Sequence, residues 1–395
     1  MTVFYIDPGT GSIIISFLIS IFSSILFFFR KKLFGYSNST SNFATNQISI
    51  FSEGNQYKST FIPIVNTLIK EKINFNYFTL DYEDDILNYD NEYINPIFLG
   101  IGIIGHTKFS SISSKILIST TPNIGTKNYP LKKPKSVKEL AHVFHMISDI
   151  SYYRIGSLDN YDTVFTVGEF QHQSIEEVEK IRSLKTKILV PVGLPYFDYF
   201  KENLPKPKTV NKKKTILLAS SWGSKGLIKK YGTSILNYLK EYTLIIRPHP
   251  QSFKSELEFI LDFKSKCLKF DNIIWDEDIL PLNSFSLADI LISDTSSIRY
   301  DFAFLTNKPV LTLKIERVEM KGFEVSYLNS KWDDISEIKL GPVMEEKNIH
   351  QINHVINETL NSFDISLIKK LKNDALHSDG NSSKNIVEYI KTKLT

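Results

Sequence analysis

Cysteine is nearly absent from this chain: Cys267 stands alone among 395 residues. No intrachain disulfide can form, which excludes the small disulfide-stapled scaffolds and suits a reducing compartment. A surplus of charge of one sign is also missing. The 47 basic and 43 acidic side chains leave a net charge of +4, too mild to point by itself to nucleic acid or to a membrane surface. The chain shows no fixed-period repeat, so solenoids and propellers are excluded. Hydrophobic content of 42% and charged content of 23% are globular values, which excludes disorder on a large scale. A chain this long fits two α/β domains with additions better than one ordinary core.

One stretch lacks charge altogether. Residues 13–29 read IIISFLISIFSSILFFF and are followed at once by Arg30, Lys31 and Lys32. At about 1.5 Å per residue, such a helix nearly crosses a hydrocarbon core ~30 Å thick. A secretory signal carries its positive charge before the apolar run, whereas here the only charged side chain ahead of it is Asp7. The positive-inside bias then puts the amino terminus outside and the rest in the cytoplasm, as a single-pass anchor in the cell membrane. A buried or interfacial helix that never spans is the competing reading. The preceding Asp7-Pro8-Gly9-Thr10-Gly11-Ser12 is turn chemistry at a helix entry.

The remainder alternates apolar, β-branched runs with helical spacing. Strands are expected at 47–51, 75–80, 96–104, 115–120, 163–167 and 187–192, with a helix over 59–72 whose apolar face carries Phe61, Val65, Leu68 and Ile69. A connector rich in proline and lysine follows: Leu204-Pro205-Lys206-Pro207-Lys208, then Lys212-Lys213-Lys214. Beyond it the pattern restarts, with strands at 215–219, 243–246, 272–275, 290–292 and 309–313. Helices are expected at 227–240, 254–266, 282–287 and 296–305. A helical tail covers 350–394, broken near 378–383. Continuous apolar strands alternating with helices indicate parallel sheets covered on both faces. The predicted architecture is therefore α/β: two Rossmann-like domains facing across a cleft, preceded by one N-terminal transmembrane helix. The divisions are residues 1–36, 37–204 and 205–395. Ligands in such folds bind at the carboxyl ends of the strands.

Two segments of the second domain carry phosphate chemistry. In the first, a buried strand runs into Asp294-Thr295-Ser296-Ser297 at a helix start. Hydroxyls there cap orphan N–H groups, and the same N–H groups favour an anion, so Asp294, Ser296 and Ser297 are candidates for holding a diphosphate. A plain helix cap is the competing reading. In the second, a strand delivers Arg247-Pro248-His249-Pro250 to its carboxyl end. Arg247 can bind phosphate through both arms of its guanidinium. His249, held by the flanking prolines, can donate to phosphate or carry a proton, unless it is only a satisfied histidine in a turn. Both segments end strands of one predicted sheet, at the same edge, which favours a phosphate site. In the first domain, His142-Val143-Phe144-His145 places two histidines three apart, on one helical face, as a metal pair, as a base facing the phosphate, or as core. No carboxylate or cysteine at metal spacing supports zinc. His106 and His172 lack supporting context.

At these residues the chain resembles the CDP-glycerol glycerophosphotransferases, the teichoic-acid primases and polymerases. Residues 289–302, DILISDTSSIRYDF, resemble that family's D-x-L-I-[ST]-D-Y-S-S-x-x-x-D-[FY], and Lys308-Pro309-Val310 follows as its K-P-[VI] does. Residues 247–250 match [KR]-P-H-P, and residues 216–222, ILLASSW, are similar to I-L-Y-A-P-T-W. Residues 193–198, GLPYFD, resemble G-x-P-R-x-D with Tyr196 in place of the arginine. Phe144-His145-Met146 resembles W-H-G, and Thr295 replaces a tyrosine. The resemblance implies a GT-B-like fold and transfer of glycerol phosphate, or a related alditol phosphate, from CDP-glycerol to an acceptor hydroxyl with release of CMP. It implies His145 as base, with Arg247, His249, Ser296 and Ser297 on the donor diphosphate. The expected partners are a CDP-alditol, a lipid-linked saccharide acceptor and the membrane. No dedicated cofactor is expected, and a divalent cation such as Mg²⁺ bridging the diphosphate is compatible with the chemistry. A sugar-nucleotide glycosyltransferase on the same architecture and a non-catalytic, membrane-tethered binding protein stay open as alternatives.

Overall fold

The computed structural model describes Ser20 and residues 47–206, 213–315 and 321–394. Apart from Ser20, the expected membrane span lies outside these residues, and among the described residues no helix is long and apolar enough to cross a membrane.

Two parallel sheets organise the chain. The first contains β1 (Ile48–Ser52), β2 (Phe75–Thr79), β3 (Ile94–Phe98), β4 (Ser113–Ser119), β5 (Ser136–Val143), β6 (Thr163–Thr166) and β7 (Ile188–Pro191). Its strand order is β3-β2-β1-β4-β5-β6-β7. The second contains β8 (Thr215–Ala219), β9 (Thr243–Arg247), β10 (Ile273–Trp275), β11 (Ile290–Ser293), β12 (Val310–Lys314) and β13 (Val343–Glu345), in the order β10-β9-β8-β11-β12-β13. In each sheet the order reverses beside the first strand, between β1 and β4 and between β8 and β11. Such reversals leave a crevice at the carboxyl ends of the strands, where the flanking connections depart to opposite sides.

Why the strands read as continuous apolar runs is visible in their packing. Ile216 and Leu218 of β8 join a cluster with Ile290 and Ile292 of β11 on one face. Leu217 and Leu291, pointing the other way, join a second cluster. In the first sheet, Ile48, Ile50, Ile116 and Ile118 share one cluster while Phe51 and Leu117 belong to another. Side chains alternate faces, but both faces are covered, so alternation of polarity disappears. The cluster holding Phe51, Leu117, Leu217 and Leu291 draws on both sheets, which fixes the two halves against each other.

Several elements differ from the sequence expectation for identifiable reasons. The expected helix over 227–240 is two short helices, Leu227–Tyr231 and Ser234–Tyr238, because Gly232 adopts a positive φ of 53° between them. The run 96–104 is a strand only to Phe98; Ile103 and Ile104 belong to the helix Gly102–Ser110. Strand β5 went unrecognised, so His142 and His145 sit on and just past a strand rather than along a helix. The tail forms the helices Ile352–Ser362, Ser366–Ala375 and Ser382–Leu394. The last of these returns to the first sheet, where Ile386, Val387 and Ile390 pack with Ile64, Val65 and Leu68 of the helix Lys58–Lys70. Asp198 anchors that return. Its carboxylate accepts from the Ser382 and Ser383 amides and from the Ser383 hydroxyl, at 3.3, 2.8 and 2.8 Å. A buried carboxylate on a helix start satisfies orphan N–H groups and the positive end of the helix at once. Asp198→Ala is expected to lower the unfolding free energy by about 1–3 kcal/mol in urea titration; an unchanged midpoint would show that the cap contributes nothing.

Candidate active site

The carboxyl ends of both sheets converge on one cavity of about 220 Å³. The second sheet supplies Ser220 after β8, residues 247–250 after β9, and Ser296 and Ser297 after β11. The first sheet supplies His145 after β5, and Gln56, Ser59 and Tyr196 come from the segments that follow β1 and β7. His145, Arg247, His249, Ser296 and Ser297 therefore meet. The β9 and β11 loops reach the same cavity although β8 separates their strands.

Asp294 does not reach it. Its carboxylate is 1% exposed and accepts from the amides of Ser221, Leu227 and Ser296 at 2.9, 2.8 and 3.1 Å. Burial pushes its pKa up, against the pull of those amides. The assignment of Asp294 to the donor phosphate is corrected on this geometry: it is an internal strut that binds the loop after β8 to the loop after β11. A negatively charged carboxylate in direct contact with phosphate would also repel it. Gly226 permits the tight approach that the strut needs, since a Cβ there would lie 2.2 Å from the Ser221 carbonyl oxygen.

Arg247 is likewise more constrained than its sequence context suggests. Nη1 donates to Asp276 at 2.8 Å and Nη2 to the Ile279 carbonyl at 3.1 Å. It offers the cavity a fixed positive charge in place of two free arms. His249 Nδ1 accepts from the Gln251 amide at 3.0 Å, so in the neutral ring the proton sits on Nε2, which is then a donor. Burial, with a smaller contribution from the Arg247 charge, lowers its pKa to about 4. Ser297 forms the N-cap of the helix Ile298–Thr306 without its hydroxyl bonding any backbone amide. Behind this loop, Arg299 is fully buried. It donates from Nε to the Ser296 carbonyl at 3.0 Å and from Nη1 to Glu337 at 2.9 Å. Arg299 was not singled out from sequence, and its partner Glu337 lies too far along the chain to be guessed.

Across the cavity, the His145 ring packs edge-on against Tyr57, with centroids 5.0 Å apart. Its Nδ1 is enclosed without a hydrogen-bond partner, which leaves Nε2 as the nitrogen available to the cavity. Burial lowers its pKa to about 4, so it is a free base at neutral pH. His142 faces the core instead, with Nε2 3.0 Å from the Tyr153 hydroxyl. The two histidines thus part company at the end of β5. His172 pairs with the Thr166 hydroxyl at 2.6 Å, away from the site. Among the described residues no group of three or more His, Cys, Asp or Glu side chains is arranged to hold a metal ion. Two further cavity residues escaped the sequence reading of roles: Asp301, one turn along the helix Ile298–Thr306, and Tyr196, whose hydroxyl donates to it.

The lowered histidines set an acid limit on stability. An unfolded histidine titrates near 6.5, whereas folded His142 does so at about 3 and His145 and His249 at about 4. Between those values the unfolded chain binds protons that the folded chain does not. Stability is therefore complete above about pH 6.5 and falls as the pH drops toward 4 and 3. His142→Leu should flatten this slope in pH-dependent thermal unfolding, and an unchanged slope would show that His142 is not held neutral.

The arrangement corresponds to known proteins at two levels. Residues 158–392, more than half of the chain, match the family described as CDP-Glycerol:Poly(glycerophosphate) glycerophosphotransferase. No curated protein matches the sequence. Among solved structures, the wall teichoic acid polymerase TagF aligns over 88% of this chain and 89% of its own, with 14% identity and a TM-score of 0.52. S. aureus MnaA bound to UDP aligns over 89% and 97%, with 16% identity and a TM-score of 0.57. The Methanocaldococcus jannaschii UDP-GlcNAc 2-epimerase, in complex with UDP-GlcNAc and UDP, aligns over 87% and 99%, with 13% identity and a TM-score of 0.56. These similarities establish the GT-B-like fold, and the family match, taken with a cavity built from the strand ends that carry its motifs, places this chain among the CDP-glycerol glycerophosphotransferases.

Proposed function

We propose that the chain transfers glycerol phosphate, or a closely related alditol phosphate, from its CDP ester to an acceptor hydroxyl, releasing CMP in the synthesis of a teichoic-acid or capsule-type surface polymer. The observation that carries this reading is the meeting of His145 from the first sheet with Arg247, His249, Ser296 and Ser297 from the second in one cavity. The fold neighbour TagF is a wall teichoic acid polymerase, and crystals of it have been soaked with CDPG, which supports the same donor here.

The donor diphosphate lies on the helix start at Ser296 and Ser297, where open hydroxyls and the positive helix end meet its charge. His249 donates from Nε2 and Arg247 contributes its charge, both toward the phosphorus that carries the alditol. Nε2 of His145 takes the proton of the acceptor alcohol. The alcohol oxygen forms a new bond to that phosphorus, the bond to the CMP oxygen breaks, and CMP leaves with the electron pair. Positioning and charge stabilisation supply most of the rate in such transfers, and no covalent enzyme intermediate is required.

The acceptor is lipid-linked in this reading, and the catalytic part sits on the cytoplasmic side of the cell membrane. The uncharged run at residues 13–29 and the Arg30-Lys31-Lys32 cluster support such an anchor. Tethering enzyme and acceptor to one surface raises their encounter frequency.

His145→Ala is expected to lower kcat by about 10²–10⁴-fold while leaving donor affinity nearly unchanged; equal turnover would remove His145 as base. His249→Ala should weaken use of the donor, and unchanged CMP release would make His249 a structural residue. The function itself is tested by incubating the full chain and membranes with CDP-glycerol and CDP-ribitol separately. CMP release is the expected outcome with at least one donor. Release of a nucleoside diphosphate from a sugar nucleotide instead would favour a glycosyltransferase.

A further inference from the structure

One pair of side chains in the cavity has no part in the transfer step. Tyr196 opens the helix Pro195–Asn203 on the first domain's side and is 4% exposed. Its hydroxyl donates to Oδ1 of Asp301 on the helix Ile298–Thr306 of the second domain. Both residues line the cavity. No ion pair reaches the Asp301 carboxyl among the described residues, where the one arginine lining the cavity, Arg247, is committed to Asp276. Where the family resemblance places an arginine, this chain presents the neutral Tyr196. Burial accordingly raises the Asp301 carboxyl to about 7, opposed only by the Tyr196 hydrogen bond. Near neutral pH this group both accepts and donates hydrogen bonds.

Position adds a second constraint. The Asp301 amide bonds back to the Ser297 carbonyl at 3.4 Å, so Asp301 follows Ser297 by one turn, about 5.4 Å along the helix. Ionised, the carboxylate repels phosphate oxygens; in either form it suits uncharged hydroxyls, which donate to it and, when it is protonated, accept from it. The group that belongs one turn from the phosphates is therefore hydroxylated and uncharged.

We propose that Tyr196 and Asp301 form the subsite for the hydroxyl groups of the donor's polyol, which lies against this pair while the diphosphate rests on Ser296 and Ser297. This assignment rests on the reading of the cavity as a CDP-alditol site and makes the pair a determinant of donor specificity. The phenol and the carboxyl come from different domains, so the polyol is gripped only when the two halves stand in this mutual orientation.

Calorimetric titration of the full chain with CDP and with CDP-glycerol tests the subsite, since CDP carries both phosphates but no polyol. Asp301→Ala should weaken CDP-glycerol binding about 10–100-fold and leave CDP binding within about twofold. Tyr196→Phe, which keeps the ring packed and removes the hydroxyl, should weaken CDP-glycerol about 5–10-fold, again with CDP unaffected. Parallel weakening of both ligands, or no change in either, overturns the subsite while leaving the transferase reading intact. Failure of the unaltered chain both to bind CDP-glycerol and to release CMP overturns the two together.

Discussion

The buried carboxylate of Asp294 is the interaction on which the phosphate side of the cavity depends. It gathers amides from three places: the turn after β8, the start of the helix Leu227–Tyr231, and Ser296 itself. Without that negative centre, the buried Leu227 amide and the half-buried Ser221 and Ser296 amides would lose their partner, the buried one at a cost of about 1–3 kcal/mol. The loop bearing Ser296 and Ser297 would then lose its side-chain tie to the turn after β8, just beyond the end of the β8–β11 ladder. Arg299 braces the same loop from the far side through the Ser296 carbonyl. Two buried charges of opposite sign thus clamp one short peptide, leaving its hydroxyls free to face a ligand.

Around that clamp, charge is distributed with economy. Arg247 is paired with Asp276, whose carboxylate also accepts from the Ser284 hydroxyl, so the cation that faces the cavity is compensated from behind. His145 and His249 are both kept neutral by burial, yet they serve different chemistry. An amide on Nδ1 fixes His249 as a donor through Nε2. No partner constrains His145 in this way, so its open nitrogen is free to accept. Two rings with the same depressed basicity thus differ: the Gln251 amide fixes the tautomer of His249, whereas His145, with no partner on Nδ1, accepts through Nε2 in the tautomer that carries its proton on Nδ1.

Much of this was legible in the sequence, and the reasons are local. Strands β8, β9 and β11 are short apolar runs ending in residues with strong stereochemical signatures, and Arg247, His249, Ser296 and Ser297 lie within a few residues of those ends. Parallel sheets place such ends on one edge whatever the remaining details. What could not be read were relations between distant parts. Tyr196 and Asp301 are 105 residues apart, and nothing in either segment names the other. Asp294 was misread because a carboxylate next to two serines resembles a ligand set, whereas its side chain turns inward to unpaired amides. Strand β5 was missed because its sequence, SVKELAHV, contains a lysine and a glutamate that dilute the apolar signal. Strand β13, three residues at the sheet edge, is too short to leave a periodic trace.

The return of the last helix to the first sheet has a consequence for how the chain is made. Ribosomes release the amino-terminal half first, and domains ordinarily fold as they emerge. Here one face of the first sheet lacks Ile386, Val387 and Ile390 until the second domain has been translated. While the second domain is being translated, Ile64, Val65 and Leu68 have no cover from that helix, so the first sheet completes its core only after a segment nearly two hundred residues downstream of its last strand has been made.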